Sequence, residues 1–289
     1  MLGEYGDRMR VLAFLNGNLA DPDEPHIRVE DLGLMRGDGV FETVLVADGK
    51  ARELRPHLDR MARSASMLDL PEPDDAAWQR AAQAVIDNWA GGREFALKLV
   101  YTRGTDPEGE PTAFALGIEI DPKVLRARDE GVAVVTLERG IDAGLAERAP
   151  WLLLGAKSLS YAVNMAAVRE AARRGADDVI FTASDLNSVL EGPTSNVIVA
   201  RGGTLYTPPA GIGILPGTTQ AAVFRAAERA GWSTKIEMIR TPDLHTADGV
   251  FLASSVRKLT RVHTLDHQPL RDSSAIHAEL AQAYEALYA

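Results

Sequence analysis

The sequence predicts a two-domain protein of the α+β class. Three observations support this. Strand-period and helix-period segments follow one another irregularly from end to end. The 289 residues allow one large or two modest domains, each able to bury its own core. Residues 121–131 are highly charged and contain Pro122, the composition of a join. The expected division is a small N-terminal domain over 1–120, a linker over 121–131 and a larger C-terminal domain over 132–289.

In the first domain, apolar residues 11–15 precede Asn16-Gly17 and then Leu19-Ala20. Asn-Gly between apolar stretches signals a hairpin. Residues 40–46 read as a strand. Leu58, Met61, Ala62, Ala65 and Leu68 recur at helical spacing over 56–68. A second helix covers 74–90 and stops at Gly91-Gly92. Residues 95–102 alternate as a strand: Leu97, Leu99 and Tyr101 share one face, Lys98, Val100 and Thr102 the other. Residues 112–120 are a further strand. In the second domain, strands are expected over 132–137, 179–181, 197–200, 204–206 and 250–253. Helices are expected over 158–173, stopping at Gly175, and over 218–230, between Gly217 and Gly231.

Composition excludes several classes. There are no cysteines, so disulfides, thiolate catalysis and cysteine-based zinc sites are all ruled out. A net charge of −10 with no basic run is not the footprint of a nucleic-acid binder. No apolar run reaches the roughly 18–20 residues that a membrane helix needs. Residues 1–10 are polar and lack the apolar centre of a secretory signal, so a cytoplasmic protein is expected.

Five patterns could carry chemistry. Lys157 follows an apolar run and precedes a predicted helix. Partial burial there would lower its pKa and make it a usable nucleophile or proton carrier. Glu191 opens Glu191-Gly-Pro-Thr-Ser-Asn196, where a carboxylate at a strand end can reach inward. Gly217-Thr218-Thr219 starts a helix, presenting backbone amides and hydroxyls suited to a phosphate. Arg60, in His57-Leu-Asp-Arg60, can clamp the same phosphate with a bidentate fork. Ser254-Ser255 ends a strand with two hydroxyls. Alone, each has an ordinary structural explanation: a surface lysine, a turn, a helix cap or an exposed arginine.

Together and in this order, the patterns resemble the class IV aminotransferases, the pyridoxal 5′-phosphate (PLP) enzymes of fold type IV. The resemblance spans about residues 12–265. It rests on Arg36-Gly-Asp-Gly-Val-Phe-Glu-Thr43, His57-Leu-Asp-Arg60, Tyr101-Thr-Arg-Gly104, Lys157-Ser-Leu-Ser-Tyr161, Glu191-Gly-Pro-Thr-Ser-Asn196, Leu215-Pro-Gly-Thr-Thr219 and Ala253-Ser-Ser255. It implies a small N-terminal α+β domain and a larger C-terminal α/β domain with PLP between them. By the same resemblance Lys157 forms the Schiff base with PLP and moves the substrate proton, and Glu191 pairs with the pyridine nitrogen. Arg60, the Thr218 and Thr219 amides and the Ser255 hydroxyl hold the phosphate, and Tyr161 touches the cofactor. The family's homodimer is expected too.

Substrate residues separate the members of that family. After Thr102-Arg103-Gly104 the chain is acidic, with Glu108 and Glu110, where many D-amino-acid transaminases carry an arginine and a histidine. Phe41 stands where they have a tyrosine. Arg36 and Lys98 are the remaining cations for a substrate carboxylate, with Phe41 and Val256 as further pocket residues. The expected reaction moves an amino group from an amino acid to a 2-keto acid. A D-amino acid is the expected donor, with primary (R)-amines as further donors. The alternative is 4-amino-4-deoxychorismate lyase, which releases pyruvate and 4-aminobenzoate; Arg261-Val-His-Thr-Leu-Asp266 resembles a stretch of the lyases of high-GC bacteria. A branched-chain L-amino-acid transaminase is a third reading.

Overall fold

The computed structural model describes residues 8–105, 110–142, 144–184 and 187–289. Glu108 and most of the polar N-terminal stretch therefore lie outside the described residues. The chain forms two compact units. One holds residues up to Asp121 together with Ala156–Tyr161; the other holds Pro122–Gly155 and Ala162–Ala289.

The first unit contains β1 (Arg10–Phe14), β2 (Leu19–Ala20), α1 (Leu32–Arg36), β3 (Gly39–Ala47), β4 (Lys50–Ala51), α2 (Leu54–Met67), α3 (Asp75–Asp87), β5 (Glu94–Thr102) and β6 (Ala113–Ile118). Asn16-Gly17 does turn a hairpin: β1 and β2 pair antiparallel, and Gly17 has φ +87°. The six strands run β2-β1-β6-β5-β3-β4, all antiparallel. Strand period two sorts their side chains. Val40, Glu42 and Val44 of β3 lie opposite Tyr101, Leu99 and Leu97 of β5, and all six are buried. Helices α2 and α3 pack on this sheet. Asp74 caps α3 by accepting from the Ala76 and Ala77 amides, and Ala77, Trp78, Ala81, Ala82 and Val85 form its buried stripe. The other face presents Phe41 beside Val100 and Thr43 beside Lys98, all half-buried.

The second unit contains α4 (Pro122–Glu130), β7 (Val132–Glu138), α5 (Leu145–Arg148), α6 (Ala162–Arg173), β8 (Asp178–Thr182), β9 (Asn196–Arg201), β10 (Thr204–Thr207) and α7 (Thr218–Arg229). It continues with β11 (Ser233–Ile236), α8 (Thr241–Thr246), β12 (Gly249–Ser254), β13 (Lys258–Leu265), β14 (Gln268–Pro269) and α9 (Ser274–Glu285). Its eight-stranded mixed sheet runs β11-β10-β9-β12-β13-β7-β8, with β14 on β13. Strands β9 and β12 read as continuous apolar runs because both faces are covered. Val197, Val199, Val250 and Leu252 join one core cluster. Ile198, Ala200, Phe251 and Ala253 join another, under Val223 of α7 and Leu280 and Tyr284 of α9. Among the described residues, no helix is long and apolar enough to cross a membrane.

The join expected over 121–131 lies where the two units divide, after Asp121, and residues 122–130 within it form helix α4. Its charges are the solvated face of a helix with no fully buried residue, and Pro122 occupies the first helical position, where its missing N–H costs nothing. The helix expected over 158–173 begins only at Ala162. Ser158 instead forms an antiparallel bridge to Val40, so the lysine segment is an extended strip beside β3.

Candidate active site

The strip that carries Lys157 is fixed by main-chain pairing. The Phe41 amide donates to the Lys157 carbonyl at 3.1 Å and the Leu159 amide to the Gly39 carbonyl at 2.8 Å. A side chain at Gly39 would place its Cβ 2.7 Å from the Tyr101 carbonyl oxygen of β5 and 2.8 Å from Leu159 Cδ1 of the strip, so glycine there leaves room for both neighbours. The Lys157 amide donates to Ser64 Oγ at 3.0 Å. The ammonium sits among aromatic rings: Lys157 Nζ is 4.3 Å from the Phe41 centroid and 5.7 Å from that of Tyr161. Those two rings meet edge to face at 5.2 Å. The structure thus brings together three residues that the sequence singled out separately.

Arg60 is buried on α2, and Glu42 holds one edge of its fork. Arg60 Nε donates to Glu42 Oε1 and Nη2 to Oε2, both at 2.7 Å. His57 Nδ1 lies 2.7 Å from Glu42 Oε2. The carboxylate can only accept, so Nδ1 carries the proton. Burial alone would raise the Glu42 carboxyl, but Arg60 and then His57 more than offset it and hold it far below the usual carboxylate range. Burial pushes the His57 imidazole below its ordinary value. The expected bidentate clamp is narrowed by this finding. Any phosphate contact from Arg60 must use donors other than the Nε–Nη2 edge.

Arg36 ends α1 and is exposed. Buried Asp31 caps this short helix through the Gly33 amide and accepts from the Thr102 and Thr112 hydroxyls. Asp38, just beyond it, takes Arg103 Nε at 2.8 Å and Nη2 at 3.1 Å. Arg103 also donates to the Leu68 and Asp69 carbonyls, so the arginine of the Thr-Arg-Gly motif holds the α1 segment in place. Lys98 is half-buried on β5, one pair along the same sheet face from Phe41.

In the second unit, Glu191 is buried and doubly oriented. Its Oε1 accepts from Arg139 Nη1 at 2.9 Å and its Oε2 from the Leu215 amide at 3.0 Å. Asn196 Nδ2 donates to the Leu215 carbonyl at 2.7 Å, so the backbone of one residue, Leu215, ties the Glu191 loop to the approach of α7. Gly217 caps α7 without a side-chain hydrogen bond. A Cβ there would lie 2.0 Å from Asn196 Oδ1, so no residue with a side chain fits. Thr218 and Thr219 follow, both buried. Ser255 and Val256 lie in the turn after β12. Arg128 holds the Val256 carbonyl at 3.0 and 2.5 Å, and Arg257 reaches Asp178 and Thr194 at 2.5 and 3.1 Å.

This donor set suits a phosphorylated pyridine. An oriented carboxylate fits a protonated ring nitrogen, and a helix start with no side-chain cap fits an anion. Ser195 Oγ, in the Glu191 loop, is buried without a hydrogen-bond partner among the described residues. A buried hydroxyl of that kind fits a polar ligand atom. Sequence reasoning missed Glu42, Ser64, Arg139 and Arg128. Glu42 alone left a signal: it is a carboxylate on the apolar face of a predicted strand.

A family model described as amino-transferase class IV matches residues 39–265. The chain belongs to this family. A Mycobacterium tuberculosis (strain H37Rv) protein named bifunctional aminodeoxychorismate lyase / D-amino acid transaminase is 42% identical over 284 residues, 94% of this chain and 98% of its own. A fold IV transaminase from Curtobacterium pusillum is 44% identical, with TM-score 0.92 over 96% of this chain and 98% of that one. A hypothetical aminotransferase from Mycobacterium tuberculosis in its PLP-bound form is 42% identical, with TM-score 0.93 over 97% and 100%. The class IV fold, two sheets in a mixed α+β chain, agrees with these relatives.

Proposed function

We propose that this class IV aminotransferase is a PLP enzyme that moves an amino group from a D-amino acid to a 2-keto acid. The observation that carries the reading is Lys157, a half-buried amine set between Phe41 and Tyr161 in a chain of this family. When bound, PLP supplies an electron sink for the charge left at the substrate carbon. The chain's residues do the rest. Lys157 Nζ holds the cofactor covalently and then carries the proton to and from the substrate Cα. Glu191 keeps a proton at the ring nitrogen, and Arg139 and the Leu215 amide hold that carboxylate in place. The Thr218 and Thr219 amides, the Ser255 hydroxyl and Arg60 bind the phosphate, and Tyr161 lies against the cofactor. Arg36 binds the substrate carboxylate, with Lys98, Phe41 and Val256 as further substrate residues. A homodimer is part of this reading.

The second reading is the lyase, favoured by the relative whose name carries both activities. The two are separated by mixing the PLP form with D-alanine, D-glutamate, L-leucine, (R)-1-phenylethylamine or aminodeoxychorismate, one at a time. Bleaching of the visible band by D-amino acids supports the transaminase. Pyruvate released from aminodeoxychorismate without any keto acid, with D-alanine inert, overturns it. Arg36→Ala should raise KM for D-amino acids by about 10- to 100-fold, the loss of one charge-assisted contact. The same variant should leave (R)-1-phenylethylamine, which has no carboxylate, unchanged. Steady-state kinetics on both donors checks this.

A further inference from the structure

Three polar residues line the buried face of α2 at helical spacing: His57, Arg60 and Ser64. Their positions i, i+3 and i+7 put them on one stripe. His57 and Arg60 both bind Glu42 of β3, and Ser64 accepts from the Lys157 amide. Glu42 itself is fully buried, flanked on its face by Val40 and Val44 and opposite Leu99. An ion pair this deep is a poor stabiliser, because desolvation cancels most of its attraction. What two parallel bonds to one carboxylate do supply is orientation. An arginine side chain has many rotamers, and a fork held along one edge has lost nearly all of them before any ligand arrives.

We propose that Glu42 is a positioning residue for the cofactor: by holding the Nε–Nη2 edge of Arg60 it sets the guanidinium in the orientation that binds the phosphate. His57, one turn away, keeps Glu42 from rotating by occupying Oε2. The same stripe, through Ser64, fixes the backbone of Lys157. One helix face thus sets the spacing between the phosphate anchor and the lysine strip. This inference rests on the reading that Arg60 binds the phosphate.

The test compares PLP with pyridoxal, which lacks the phosphate, in equilibrium titrations of the full-length protein freed of cofactor. The readout is the ratio of the two affinities. Arg60→Ala should weaken PLP by roughly 30-fold and leave pyridoxal within about twofold. Glu42→Gln should weaken PLP by about 10-fold with pyridoxal likewise unchanged, and should add nothing in the Arg60→Ala background. A merely structural Glu42 would weaken both ligands alike, and that result overturns the proposal. If Arg60→Ala changes the ratio and Glu42→Gln does not, the proposal fails and the phosphate reading stands. If Arg60→Ala leaves the ratio unchanged, both fail. Should Glu42→Gln not fold, Glu42→Asp keeps the charge but withdraws the oxygens by one methylene. It should lower the ratio by about threefold to tenfold, and an unchanged ratio overturns the proposal.

Discussion

Lys157→Ala should abolish the visible absorbance of the PLP form and lower kcat by at least about 10³-fold, since both the covalent link and the proton carrier are lost. The fold should survive. Alanine keeps the carbonyl that accepts from Phe41 and the amide that donates to Ser64. Absorbance before and after borohydride, single-turnover rates and thermal unfolding together check the prediction. A Lys157→Ala protein that keeps the band and its rate would remove the central residue of the scheme. A wild-type preparation that takes up no PLP would remove the scheme itself.

Glu191→Gln should lower kcat by about 10²- to 10³-fold, comparable with losing one preorganised electrostatic contact. KM should change far less, because the substrate carboxylate is held elsewhere. The amide accepts and donates but carries no charge to keep a ring nitrogen protonated. It also leaves Arg139 without its carboxylate, so a stability loss of about 1–3 kcal/mol should accompany the kinetic one. Arg139→Ala tests the division of labour. If Arg139 only orients Glu191, its loss should lower kcat by less than Glu191→Gln does. Equal losses would mean that the pair acts as one unit.

Local signals in the sequence were read well where local physics decides. The Asn16-Gly17 hairpin, the Asp74-capped helix and the alternating β5 are set by turn chemistry, capping and period. Residues 158–161 were misread because nothing in them breaks a helix. What draws them into an extended strip is the edge of β3, a tertiary partner that no window of sequence contains. Pro122 marks the join, and it does so as the first residue of a helix. The site divides in the same way. Lys157, Glu191 and Arg60 stood in recognisable motifs. Their partners did not, since Arg139 lies 52 residues from Glu191 and Ser64 lies 93 from Lys157. Such pairings appear only after the chain has folded.

The bridge between Val40 and Ser158 also carries a kinetic consequence. An N-terminal domain is ordinarily free to fold while the rest of its chain is still being made. Here the first unit cannot finish until residues 156–161 have been synthesised, after a stretch of the second unit has already emerged. The contact closes a loop of more than a hundred residues, whose entropy is lost late. Assembly of the lysine strip should therefore be among the last events on the folding pathway, and a fragment ending at Asp121 would retain Arg60 but never acquire Lys157.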